Sequence, residues 1–169
     1  MSDEGSSAGD GKDDGPRPDE EEYERLDRNL SEMLQELRVA LPGVQVLFAF
    51  LLTVPFQQGF QKVTVFQERV YFVTLLCTAI SAALLIAPSA YHRITFRQQQ
   101  KHHLVFTANK LAIVGLGFLA AAMTGAILLV TDYIFGSAAT VITAASAALL
   151  FAVLWYLLPL RRRLRGGER

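Results

Sequence analysis

The chain has 169 residues and a single cysteine, Cys77, which excludes a scaffold held by internal disulfides. Half of the residues (51%) are hydrophobic, and the formal net charge of zero is a cancellation. Residues 1–38 carry 13 acidic and 5 basic side chains, while residues 39–169 carry 3 and 11, which argues against one uniform domain and for a polar tail joined to a body that meets a membrane or a polyanion.

Residues 1–18, "MSDEGSSAGDGKDDGPRP", have no large apolar residue after Met1. Such a stretch cannot bury enough surface to offset its chain entropy, so a disordered acidic tail is expected. It has neither the basic start nor the apolar stretch of a signal peptide. Residues 19–38 change character. Tyr23, Leu26, Leu30, Met33, Leu34 and Leu37 recur at spacings of three and four, which predicts an amphipathic cytoplasmic helix. Four acids at 19–22 suit its positive end, and Glu24 and Arg28 form a helix-stabilising pair.

Four apolar runs follow, at about 39–56, 70–90, 111–131 and 137–160. A bilayer core needs roughly 17–25 helical residues, so each is expected to span. None contains Asp, Glu, Lys, Arg or His. Pro42-Gly43 at the mouth of the first run predicts a joint, where the amphipathic helix ends or bends and the span starts afresh. Pro55 is expected to close the outer end. The connections at 57–69, 91–110 and 132–136 read as polar links, the last a tight turn ending at Gly136. Aromatic residues gather near the span ends, as in an interfacial belt. The fold expected is all-α: a four-helix transmembrane bundle behind an amphipathic helix and an acidic tail.

Lys and Arg give the orientation. With four spans, the N-terminal tail, the 91–110 loop and the basic tail at 161–169 share one side. Close to the spans that side holds twelve basic residues and the other side two, Lys62 and Arg69. The positive-inside rule then puts both termini in the cytoplasm, in the plasma membrane. Arg93, Arg97, Lys101 and Lys110 in the loop, with Arg161, Arg162, Arg163 and Arg165 in "LRRRLR", are candidates for contact with anionic lipid.

Within the spans, Gln45, Thr74, Thr78 and Ser81 are candidates for a polar path or for contact between helices. Gly117, Ala121 and Gly125 form a row of small residues suited to close helix packing, as do Thr140, Ala144 and Ala148. Ion-coupled transport normally needs an ionisable group near the midplane, and the runs supply none. His92, His102 and His103 could ligate a metal, but the loop has no carboxylate or cysteine and its cations oppose one. It also lacks a nucleophile–base–orienter set. No metal, cofactor, catalytic residue or nucleic-acid partner is therefore expected. The expected partners are membrane lipids, a second copy or another membrane protein.

Two stretches, "LSEMLQELRVALPGVQVLFAFLLTVPFQQGF" and "YHRITFRQQQKHHL", resemble a family of small actinobacterial membrane proteins classed as a domain of unknown function. The resemblance covers about 25–165 and implies the same four-span fold. Members often carry the label sodium/proton antiporter, so it implies a small transporter, or a subunit of one, as the alternative to a non-enzymatic interaction or accessory protein.

Overall fold

The structure is a computed structural model, and it describes residues 18–95 and 101–161. Among them every regular element is helical: α1 (Pro18–Thr53), α2 (Val65–Thr95), α3 (Lys101–Phe135) and α4 (Ser137–Ala152). Two 3-10 turns, Val54–Phe56 and Gln58–Lys62, link α1 to α2. A π-helical turn, Val153–Leu157, extends α4, and helix resumes through 158–161. The tail expected to be disordered, 1–18, lies outside the described residues except for Pro18, which opens α1.

Four stretches are long and apolar enough to cross a membrane: Ser31–Phe56, Val65–Ala90, Thr107–Phe135 and Ala138–Arg161. Large apolar side chains such as Phe50, Phe72, Ile142 and Leu149 stand well exposed on their outer faces. Such coverage would be an aggregation liability in water, whereas hydrocarbon is its natural solvent.

The helix end expected at Pro42-Gly43 is absent, because α1 is continuous through both residues. Pro42 lacks the N–H that would bond the Arg38 carbonyl, a real cost in a helix interior. Both residues are exposed, so the ring strikes no neighbouring helix. The reason for continuity lies on the other face. Leu37 and Val44, two turns apart, are buried in one cluster with Leu85, Ala112 and Leu119. Only an unbroken helix keeps residues seven apart on that face. The amphipathic stretch and the first span are thus one rod of about 54 Å at 1.5 Å per residue.

The other expected links are shorter than read. Residues 91–95 and 101–110 are helical and belong to α2 and α3. The turn at 132–136 reduces to one residue: α3 continues to Phe135, and Gly136 alone, at φ 80°, reverses the chain into α4. That left-handed conformation favours glycine.

α3 is the hub. It packs most extensively on α2, then on α4, and also on α1, while among the described residues the backbone of α4 comes close to α3 but not to α1 or α2. Along α3 the buried residues Ala108, Ala112, Gly115, Leu119 and Ala122 alternate spacings of four and three. This is the seam of two long helices packed side by side.

Candidate functional site

The hydroxyls of α2 lie on the seam. Thr74, Thr78 and Ser81 are essentially fully buried, at 2%, 0% and 0% exposure. Thr74 Oγ1 donates to the Val70 carbonyl at 2.7 Å and Thr78 Oγ1 to the Thr74 carbonyl at 2.8 Å. Ser81 Oγ crosses to α3 and donates to the Gly115 carbonyl at 2.8 Å. Each donor is therefore used. Ser81 is a bond between helices, and such bonds are worth about 0.6 kcal/mol on average in a membrane.

Gln45 points away from this seam. It follows the buried Val44 by one residue, about 100° round the helix, and is exposed with no hydrogen-bond partner among the described residues.

The row of Gly117, Ala121 and Gly125 does not form one interface. Gly117 faces the phenol of Tyr156, Ala121 is exposed, and Gly125 faces Thr74. Steps of four residues drift by about 40° each on a helix, so the two ends of the row look toward different neighbours. The same drift leaves Thr140 buried and Ala148 exposed on α4. Gly117 matters for another reason: its missing side chain lets Tyr156 reach over α3 and donate to the Ile113 carbonyl at 2.9 Å.

A polar cluster, missed in the sequence, sits where α1 ends and α2 begins. The Thr64 N–H donates to Gln67 Oε1 at 3.0 Å, and the Gln67 N–H donates to Thr64 Oγ1 at 3.2 Å. This is a capping box, and its signal was legible as the T-x-x-Q of "TVFQ" ahead of an apolar run. The remaining end of Gln67 does more. Nε2 donates to Asp132 Oδ2 at 2.9 Å, and Thr140 Oγ1 stands 3.4 Å from Asp132 Oδ1 while donating to the Gly136 carbonyl at 2.6 Å. One half-buried carboxylate thereby ties α2, α3 and α4.

Tyr71 anchors α1 to the same end. Its hydroxyl donates to the Leu51 carbonyl at 2.8 Å. Pro55, four residues on, has no N–H for that carbonyl, so the phenol supplies the bond the proline withholds. Phe60 meets the Tyr71 ring edge to face at 5.2 Å. A largely apolar cavity of about 330 Å³ lies beside this pair, walled by Leu51, Val63, Leu129 and Tyr133 with Gln67 at its margin.

The basic candidates are only partly placed. Lys110 and Arg161 are exposed, and Arg93 and Lys101 lie in the ends of α2 and α3. Arg97, Arg162, Arg163 and Arg165 lie outside the described residues. His92, His102 and His103 lie in helix, and their side chains are not described. Among the described residues no group of three or more His, Cys, Asp or Glu could hold a metal ion.

A family model described as "Family of unknown function (DUF6328)" matches residues 19–159. Comparison with curated proteins and with solved structures gives no match.

Proposed function

The chain belongs to the DUF6328 family of unknown function, and from that premise we propose a multi-pass membrane protein that acts by assembly with lipids and membrane partners and carries no catalytic site. The observation that supports this is the use of every buried hydroxyl donor among the described residues: Tyr71, Thr74, Thr78, Ser81, Thr131 and Thr140 all donate to helix carbonyls. An interior so arranged serves packing. A polar route would need groups left over to replace a solute's hydration.

The second reading is a small transporter, and Asp132 favours it as a half-buried carboxylate held by Gln67 near the end of the third span. Purified protein in proteoliposomes, with dyes for internal pH and sodium, separates the two. No flux above protein-free vesicles is expected. Proton-coupled sodium movement that disappears in Asp132→Asn would overturn the assembly reading and establish the transporter.

The proposal places both termini in the cytoplasm of a cell with this protein in its plasma membrane, on the strength of the twelve-to-two basic bias. The basic set Arg93, Arg97, Lys101, Lys110, Arg161, Arg162, Arg163 and Arg165 would then face the anionic inner leaflet, each worth about 1 kcal/mol of attraction near the surface. In a Cys77→Ala background, Gln58→Cys is expected to react with a membrane-impermeant maleimide on intact cells. Arg28→Cys should react only after permeabilisation. The reverse pattern would invert the topology, and labelling of both from outside would break the even number of spans.

A further inference from the structure

At the end of the bundle where α1 passes into α2, two hollows share a wall. The first is the cavity of about 330 Å³ beside Leu129 and Tyr133. The second, about 780 Å³, is bounded by Pro55, Val65, Phe72 and Val73 together with Glu68 and Arg69. Phe60 and Tyr71 line both, and their edge-to-face contact is the partition. Volumes of roughly 300–1,000 Å³, mostly apolar with a few polar groups, are those of ligand sites. Glu68 and Arg69 are adjacent, exposed and free of any salt bridge among the described residues. They stand in the first turns of α2, at the start of a candidate span, which is the level of lipid headgroups.

We propose that this end of the bundle holds a zwitterionic two-chain phospholipid, one acyl chain in each hollow, its phosphate on Arg69 and its ammonium on Glu68. The partition explains two chains, since one continuous groove would serve a single tail. The opposite charges on one rim select the headgroup, because an anionic lipid would bring its charge against Glu68 as well as Arg69. Lys62, the other basic residue at this end, lines neither hollow. The assignment holds for either orientation of the bundle; it rests on the reading of the chain as a membrane protein that assembles with lipids, and its test is separate from the flux experiment.

The full chain, reconstituted in nanodiscs of equal parts phosphatidylethanolamine and phosphatidylglycerol, is extracted into mild detergent and its retained lipid counted by mass spectrometry. The retained ratio of phosphatidylethanolamine to phosphatidylglycerol is expected to be about threefold above its bulk value, the factor an exposed ion pair supplies. Glu68→Gln should abolish that preference, and Arg69→Gln should lower retention of both lipids. Val73→Trp fills the second hollow with both charges intact and should also lower retention. All three positions are exposed, so unchanged thermal unfolding shows that the fold stands. Lipid retained in its bulk ratio by the unaltered protein would overturn the proposal, as would charge variants that retain the same lipids as the parent.

Discussion

Replacing Gly115 by alanine is expected to destabilise the protein by about 1–3 kcal/mol, the usual cost of overpacking, although alanine is the better helix former. A Cβ at Gly115 would stand 2.9 Å from Leu85 Cδ2, 3.0 Å from Leu85 Cγ and 3.2 Å from Leu84 Cβ. Leu85 is fully buried at 0% exposure, so its side chain cannot swing outward from the bundle without leaving the core cluster. Leu84 Cβ is fixed to the backbone of α2. The helices are therefore expected to give by a few tenths of an ångström, which strains the Ser81 bond to the Gly115 carbonyl. The same exchange at Gly43 is the control. That glycine is exposed in the middle of α1, and an added Cβ meets nothing within 4 Å. Gly43→Ala should gain about 0.5–1 kcal/mol from helix propensity. Unfolding of both variants in mixed micelles measures the contrast. Equal shifts in the two would mean that α2 and α3 do not meet at Gly115.

That pair of glycines also shows what the sequence could and could not convey. Span number and helical class follow from apolar length, so "VTLLCTAISAALLIAP" and its counterparts announce themselves. Which glycine faces which helix does not follow, because rotation about a helix axis leaves no mark on composition. The row Gly117, Ala121, Gly125 looked like an interface, yet Gly115, one of a 4–3–4–3 series of buried residues, holds the seam. The hydroxyls Thr74, Thr78 and Ser81 were legible as a face because three of them coincide on a helix that is otherwise apolar. Asp132 was legible only as a residue near the end of a span. Its partner Gln67 lies 65 residues away, and no local pattern joins them. The proline at 42 misled for a related reason. Local chemistry predicts a break there, while burial of Leu37 and Val44 on one cluster outweighs the lost hydrogen bond.

The length of that rod can be tested where the acidic stretch meets the bundle. Leu37→Glu is expected to be the most damaging single change in α1. Leu37 is 5% exposed and packs with Val44, Leu85, Ala112 and Leu119. Removing a core leucine costs about 2–5 kcal/mol through lost burial and the space left behind. Glutamate adds to this, because an unpaired carboxylate on that face must either lose its hydration or pull α1 off the cluster. Gln35→Glu introduces the same charge two residues earlier, on an exposed face, and should stay within about 0.5 kcal/mol of the parent. Leu37→Gln isolates packing from charge and should fall between the two. Thermal unfolding of the three proteins in detergent gives the order. If Leu37→Glu were as benign as Gln35→Glu, the N-terminal part of α1 would stand free of the bundle, and the continuity of the helix through Pro42 would lose its physical cause.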